Sequence, residues 1–67
     1  MNQPKVVFAL RLMKMLQGNE MMTIDDVAAQ LGVVPRTIYR YIDTLKESGF
    51  TVINITGNIY RLVEMPQ

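Results

Sequence analysis

Hydrophobic side chains near the start of the chain recur at the spacing of one face of an α-helix. When successive residues are placed about 100° apart, a single face carries Phe8, Ala9, Leu12, Met15 and Leu16. Two basic residues, Arg11 and Lys14, lie opposite this face. Pro4 is tolerated as a first helical residue, and Gly18 favours an end to the helix just before it. The pattern predicts an amphipathic helix over residues 4–17.

A second apolar stripe follows, and polar residues mark where its helix begins. The stripe consists of Ile24, Val27, Ala28 and Leu31. Thr23 is suited to the N-cap because its hydroxyl can accept a hydrogen bond from a first-turn amide. Asp25 and Asp26 place negative charge beside the positive end of the helix dipole. Gly32 suits the left-handed conformation that ends many helices, so we predict a short helix over residues 24–31.

The third helical pattern separates apolar from charged side chains. Pro35 fits a first helical position because its missing amide hydrogen would have no partner there. The apolar face consists of Ile38, Tyr41, Ile42 and Leu45, and the opposite face consists of Arg36, Arg40, Asp43 and Glu47. Gly49 is placed to close the helix. The pattern predicts a helix over residues 35–48 with one strongly charged face.

After Gly49 the apolar residues alternate with a period of two, which is typical of β-strands. β-branched residues are frequent on both sides of Gly57 and Asn58, a pair that favours a tight hairpin turn. The pattern predicts a two-stranded hairpin over residues 51–63.

The length of the hairpin loop decides which strand face meets the core. With a two-residue loop, the predicted inward pairs are Ile55 with Tyr60 and Ile53 with Leu62. The residues then left on the outer face are Val52, Ile59 and Val63. A three-residue loop would shift this register and turn one strand over.

Composition limits the chemistry that the chain can perform. The 67 residues include no cysteine and no histidine, which excludes disulfides, thiolates and the commonest metal ligand. The sequence has no nucleophile–base pair, metal-ligand cluster or phosphate loop, so we expect no enzyme, no cofactor and no metal site. The first apolar stretch is too short, and too soon interrupted by Arg11 and Lys14, to predict a signal peptide, and no apolar run approaches the roughly 20 residues that span a bilayer. This favours a cytoplasmic protein without a membrane partner.

Residues 23–49 are the most informative part of the chain. Two short predicted helices are joined by a turn that holds Gly32, and the small Ala28 on the packing face permits a close, steep helix crossing. This is the requirement of a helix-turn-helix, whose second helix enters the major groove of DNA. The net charge of +1 does not by itself indicate nucleic acid, so a prediction of DNA binding depends on where the basic residues lie.

The same stretch resembles a known family. It is similar to the winged helix-turn-helix of DeoR-type regulators and to the N-terminal DNA-binding domains of WYL-type transcription regulators. The similarity lies in the run TIDDVAAQLGVVPRTIYRYIDTLKESGF, in the short hairpin that follows and in the segment IYRL. The resemblance extends from Arg11 to Leu62 and is most specific in LGV, RTIYR and Leu45.

The resemblance implies a fold, a partner and a role. The fold is a small, mainly α-helical α+β domain over residues 1–67, a three-helix winged helix-turn-helix. Residues 35–48 correspond to the recognition helix and residues 51–63 to the wing. The implied partner is double-stranded DNA, and the implied role is transcription regulation in a bacterium or phage.

The resemblance and the side-chain chemistry together indicate DNA-binding candidates, which are Pro35, Arg36, Thr37, Tyr39, Arg40, Asn58 and Arg61. Arg36 and Arg40 lie in the half of the recognition helix that meets base edges, and each guanidinium can pair with guanine O6 and N7. The hydroxyls of Thr37 and Tyr39 can donate to flanking phosphates. The two wing residues are placed to reach the minor groove or the backbone.

One position departs from the family pattern. The family usually has a serine before the recognition helix, as N-cap and phosphate contact, whereas this chain has Val34. Valine has no side-chain acceptor, so Thr37 or water must satisfy the first amides. We therefore expect no phosphate contact from the side chain at position 34, while the fold is unaffected.

The same residues also have purely structural explanations. Arg36 and Arg40 would be solvated side chains on an ordinary helix, with Arg40 paired to Asp43. The Thr37 hydroxyl can instead bond to its own helix. Core-edge packing is expected for Tyr41 and Tyr60. A solvated face, with contact to the DNA backbone as the alternative, is expected for Lys5, Arg11 and Lys14.

Apolar residues in excess of the predicted core point to a partner. They are Val6, Leu10 and Met13 on the first helix and Val52, Ile59 and Val63 on the hairpin. Contiguous exposed apolar area usually marks an interface. We therefore expect a homodimer, or docking onto a C-terminal sensing domain outside this chain.

Two other functions fit parts of the pattern. A protein-interaction winged helix that never binds DNA agrees with the nearly neutral charge, but not with arginines on the exposed face. A phage-type recombination or replication accessory factor would bind DNA and then bend it or recruit a recombinase.

Overall fold

Three helices are followed by an antiparallel two-stranded hairpin in the computed structural model, which describes residues 5–18 and 21–64. This confirms the predicted fold class. The elements are α1 (Lys5–Gln17), α2 (Ile24–Leu31), α3 (Pro35–Glu47), β1 (Thr51–Thr56) and β2 (Ile59–Glu64). The predicted helix start at Pro4 lies outside the described residues. Helix α3 ends one residue before its predicted end, with Ser48 as the C-cap.

All five elements contribute to one apolar core. Its buried side chains are Phe8, Leu12, Leu16, Ile24, Val27, Ala28, Leu31, Ile38, Ile42, Leu45, Val52 and Leu62. Within residues 5–18 and 21–63 no polar or charged side chain is buried. Apolar packing therefore holds this region together, and its polar side chains are left for the surface.

Thr23 begins α2 as the sequence predicts. Its Oγ1 accepts a hydrogen bond from the Asp26 amide at 3.1 Å, and its backbone is extended, as is usual for an N-cap. The Ile24 amide donates to the Asn58 carbonyl at 2.8 Å, and Thr23 forms an isolated antiparallel bridge with Ile59. The start of α2 is thus tied to the hairpin turn.

Residues 32–34 form the turn between α2 and α3. Gly32 has a φ of 74°, in the left-handed region. The Val33 amide donates to the Ala28 carbonyl at 3.0 Å, and the Gly32 amide donates to the Ala29 carbonyl at 3.3 Å. These two bonds form a Schellman motif, and they let the chain leave α2 abruptly. The buried Ala28, whose carbonyl accepts the first of these bonds, lies three residues before the end of α2.

A second Schellman motif ends α3. Gly49 has a φ of 100°, its amide donates to the Lys46 carbonyl at 3.1 Å, and the Phe50 amide donates to the Leu45 carbonyl at 3.0 Å. Phe50 packs against the core, so the same turn that ends the helix also anchors the start of β1.

The hairpin has the predicted two-residue loop, but the predicted strand register is wrong. The observed pairs are Thr51 with Glu64, Val52 with Leu62, Ile53 with Arg61, Asn54 with Tyr60 and Thr56 with Ile59. Ile55 is the extra residue of a bulge next to the turn, which shifts β1 by one position.

The bulge exchanges the two faces of β1. Val52, predicted to face outward, is buried, whereas Ile53 and Ile55 are exposed. On β2, Val63 is exposed as predicted, but Ile59 is half-buried.

Asn54 supplies a physical reason for the bulge. Its Nδ2 donates to the Gly57 carbonyl at 2.9 Å and to the Ile59 carbonyl at 3.1 Å. The shifted register thereby satisfies two backbone acceptors near the turn, and it places Val52 opposite Leu62 in the core. Apolar alternation alone contains no signal for a side-chain amide that bonds across a turn.

Gly32→Ala should lower the free energy of unfolding by about 1–2 kcal/mol, because an L side chain is strained in the left-handed region. No atom lies within 4 Å of the position that a Cβ would occupy, so the cost would come from the backbone. Gly32→Asn should cost less, since asparagine adopts this conformation more readily. Urea unfolding of the three proteins tests this, and equal losses for both variants would contradict the conformational explanation.

Candidate nucleic-acid interface

Helix α3 presents a polar face opposite the side chains that it buries. Ile38, Ile42 and Leu45 lie in the core, while Arg36 and Arg40 are exposed. The two arginines are four residues apart, which is about 6 Å along a helix axis. Burial of the apolar face thus leaves both guanidinium groups in solvent.

Neither arginine is neutralised within the described part of the chain. Among residues 5–18 and 21–63, no carboxylate pairs with the guanidinium of Arg36 or Arg40. The Arg40–Asp43 ion pair, which would give Arg40 a purely structural role, is not formed there. An unpaired guanidinium offers five N–H donors in a rigid fork that matches phosphate or guanine.

The charge changes sign along the exposed face of α3. Its first half carries Arg36 and Arg40, and its second half carries Asp43 and Glu47, which are also exposed. The positive end of the helix dipole coincides with the arginine half. A polyanion would therefore be attracted to the start of α3 and repelled from most of its second half.

Thr37 lies on the side of α3 that faces α1. It is half-buried, and its hydroxyl has no hydrogen-bond partner among the described residues. By contrast, the Thr44 Oγ1 donates to the Arg40 carbonyl at 3.1 Å. Thr37 therefore does not bond to its own helix in this way, and its hydroxyl remains available.

Tyr41 joins α3 to α1. Its ring lies 4.8 Å from that of Phe8, centroid to centroid, and it is half-buried against the core. This is the core-edge position expected from the sequence.

Tyr39 lies on the other side of α3, against the wing, which is the hairpin formed by β1 and β2. Its ring meets that of Tyr60 edge to face, with centroids 5.7 Å apart and an interplanar angle of 84°. Tyr39 is 37% exposed, so part of the ring remains accessible while the wing fixes its position.

The wing candidates Asn58 and Arg61 make contacts within the fold. Asn58 Nδ2 donates to Asp25 Oδ2 at 3.4 Å, and Arg61 Nη2 donates to the Gly18 carbonyl at 3.3 Å. Both residues are half-buried. These contacts connect the wing to the start of α2 and to the end of α1. The local sequence pattern does not predict these two hydrogen bonds, because the partners are 33 and 43 residues away along the chain.

Helix α3 begins without a side-chain cap, as expected for Val34. That residue is the N-cap but makes no side-chain hydrogen bond, and Pro35 follows at the first helical position. The Thr37 amide donates to the Val34 carbonyl at 3.0 Å. The start of α3 is therefore stabilised through its backbone.

Sequence reasoning missed a groove beside Arg40. Lys5 of α1 lines this groove together with Thr37, Tyr41 and Thr44 of α3. Lys5 was expected to be a solvated residue of the first helix, and no local pattern indicates that the first turn of α1 lies next to α3.

Neither a cluster of metal ligands nor a membrane-spanning helix is found among the described residues. No group of three or more histidine, cysteine, aspartate or glutamate residues in this region could hold a metal ion. Within the same residues, no helix combines the length and apolar character that crossing a bilayer requires.

A helix-turn-helix formed by α2 and α3, followed by a two-stranded wing, defines the class of winged helix-turn-helix domains. A family model described as "HTH domain" matches residues 9–61, well over half of the 67-residue chain. The chain belongs to this family, the winged helix-turn-helix DNA-binding type that is found in DeoR and WYL regulators. Its members are DNA-binding domains of regulators and not enzymes. No curated protein and no solved structure gives a significant match.

Replacing Tyr39 and Tyr60 by leucine, singly and together, should reveal a coupling energy of about 0.5–1.5 kcal/mol, because edge-to-face aromatic pairs contribute this much beyond their buried area. Urea unfolding of the four proteins in the double-mutant cycle measures it. Tyr39→Phe keeps the ring and should preserve most of the coupling. A coupling energy of zero would show that this contact does not join the wing to α3.

Proposed function

We propose that this chain binds double-stranded DNA sequence-specifically as part of a transcription regulator, with α3 as the recognition helix in the major groove. The observation that carries the proposal is the pair of unneutralised arginines, Arg36 and Arg40, one turn apart on the exposed half of α3. The DNA-binding character of the family supports it. The resemblance to DeoR and WYL regulators favours action at a bacterial or phage promoter.

The dimensions and chemistry of α3 suit the major groove. An α-helix with its side chains is about 10–12 Å across, and the groove is about 12 Å wide. Residues at the start of a recognition helix meet base edges, which brings Pro35 and Arg36 closest to the bases. A guanidinium paired with guanine O6 and N7 contributes about 1–3 kcal/mol of discrimination against a wrong base.

Contacts on the two sides of α3 would hold the helix in register. The Thr37 hydroxyl on the α1 side and the Tyr39 hydroxyl on the wing side are candidates for donation to phosphates, which position the protein without reading sequence. Asn58 and Arg61 already donate within the fold. In this proposal they keep the wing docked, and that is how they contribute to binding.

The charged exposed face of α3 favours DNA over a protein partner. A helix that docked onto another protein would more often present an apolar patch, whereas the exposed face of α3 carries Arg36, Arg40, Asp43 and Glu47. Most of the exposed large apolar side chains lie elsewhere, on α1 and on the wing, and those at α3 are Val34 at its N-cap and Tyr39.

The affinity of the wild-type chain for random-sequence duplex DNA should fall steeply as salt concentration rises, because bound arginines displace counterions. Arg36→Ala combined with Arg40→Ala should reduce the slope of log affinity against log salt by about 0.9 for each phosphate that is no longer neutralised. Fluorescence anisotropy with a labelled duplex measures both slopes. Absence of wild-type binding even at low salt would reject the proposal.

A matched control removes the same charge from other exposed positions. Lys14→Ala combined with Lys46→Ala takes two cations from the exposed surface outside the first half of α3. Its slope should stay close to the wild-type value. An equal reduction in both double variants would mean that net charge, and not the position of the arginines, governs binding.

We further propose that a second copy of the chain covers an apolar stripe on α1. Val6 and Leu10, one turn apart, are 65% and 59% exposed, whereas Met13 is half-buried against the core. A chain of this length buries only about 60% of its unfolded surface, so added burial would stabilise it. A two-fold dimer would read half-sites about 34–36 Å apart.

Leu10→Glu should shift the chain from dimer to monomer, because it would bury an unpaired carboxylate at the interface. Sedimentation equilibrium across micromolar concentrations measures the association state. Lys46→Glu, which adds a carboxylate at an exposed position on α3 and not on α1, should leave the association unchanged. A wild-type chain that is monomeric throughout this range would reject the dimer.

A further inference from the structure

A groove separates the first turn of α1 from the exposed side of α3. It has a volume of about 310 Å³ and is lined by Lys5, Thr37, Arg40, Tyr41 and Thr44. A smaller depression of about 150 Å³ shares three of these residues and is also lined by Phe8 and Val33. The groove therefore opens beside the face that carries the two arginines, and an apolar floor adjoins it.

The lining of the groove is positively charged and rich in hydroxyl groups. Lys5 and Arg40 contribute the cations, and Thr37, Tyr41 and Thr44 contribute hydroxyls, with no carboxylate among the described residues that line the groove. Within the described part of the chain neither cation has an ion-pair partner. Two unneutralised cations on one groove repel each other, so an anion placed between them would be attracted to both.

Available donors give the groove the chemistry of a phosphate contact. The Thr37 hydroxyl has no partner among the described residues, whereas the Thr44 hydroxyl already donates to a backbone carbonyl. Lysine binds phosphate as a point charge, and arginine binds it through paired N–H groups. Lys5, Thr37 and Arg40 together would supply ammonium, hydroxyl and guanidinium donors to one anionic group.

We propose that this groove holds a phosphate of the DNA backbone beside the major groove that α3 enters. This inference rests on the proposed function and adds Lys5, a residue of α1, to the DNA-binding surface. It also gives the two arginines different roles. Arg40 lines the groove and contacts phosphate, while Arg36, which does not line it and lies one turn nearer the start of α3, reads bases.

A phosphate held between α1 and α3 would fix the position of the recognition helix on the duplex. Phosphate contacts set register and orientation without conveying sequence. The anchor would come from two elements whose relative position is maintained by the core, including the Phe8–Tyr41 contact. Lys5 is thus a positioning contact that strengthens binding to every sequence alike.

The test compares Lys5→Gln with Lys14→Gln in salt titrations on random-sequence duplex DNA. Both lysines are exposed on α1, and they lie nine residues apart, about 14 Å along the helix, so only the first lines the groove. Lys5→Gln should reduce the salt slope by about 0.9, the value for one neutralised phosphate. Between 50 and 200 mM salt, its affinity should fall about 3–4-fold less than that of the wild type. Lys14→Gln should match the wild type.

The outcomes separate this inference from the proposed function. If the wild type binds DNA and the two glutamine variants have the same slope, the groove inference is wrong while DNA binding stands. If the wild type does not bind, the proposed function itself fails. Thr37→Val, which removes the hydroxyl and keeps the side-chain size, should weaken binding several-fold. Unchanged melting temperatures would show that all these variants fold.

A second experiment identifies the anion. On a binding site obtained by selection from random duplexes, single phosphates are replaced by neutral methylphosphonates. One replacement should weaken the wild type but have little additional effect on Lys5→Gln, and the same penalty in both proteins would overturn the assignment. Inorganic phosphate is titrated into the free chain and followed by the amide resonances of Thr37 and Thr44. Saturation at micromolar phosphate would make the groove a free-anion site and would also overturn it.

Discussion

The packing of α2 across α3 is the constraint on which the rest of the molecule depends. The two helices are joined only by residues 32–34, and the left-handed Gly32 lets the chain reverse within that length. Because Ala28 and Ile38 are both buried, α3 has one rotation about its axis that satisfies the core. Any other rotation would bring Arg36 or Arg40 towards apolar surroundings without a partner, which is energetically costly.

Helix α3 is braced on both sides of its exposed face. On one side Tyr41 contacts Phe8 of α1, and on the other side Tyr39 contacts Tyr60 of the wing. The wing is in turn held through Asn58 and Arg61. A short wing that is docked in this way supports α3, and sites built on braced helices keep their geometry better than sites on loops.

The distribution of charge explains how a nearly neutral chain can bind a polyanion. The net charge of +1 averages over the chain, and it conceals the change of sign along α3 between Arg40 and Asp43. No polar side chain is buried among residues 5–18 and 21–63, so the charges of that region act at the surface. Local potential, and not total charge, is the quantity that a groove of DNA would encounter.

The sequence by itself determined the helices, their caps and the exposed arginines. Thr23 begins α2, Gly32 ends it, and the period of α3 places Arg36 and Arg40 opposite the core. These features depend on residues within about four positions of one another, where backbone hydrogen bonds and side-chain spacing act. Local pattern is therefore sufficient to predict them.

Only the tertiary structure decided the strand register, the partners of the wing and the groove beside Arg40. Asn54 bonds across the turn and displaces Ile55 into a bulge, which reverses the inward face of β1. Arg61 reaches a carbonyl 43 residues away, and Lys5 meets the Arg40 groove only because α1 packs beside α3. Such contacts are selected by the packing of the whole core, and the pattern of neighbouring residues carries no information about them.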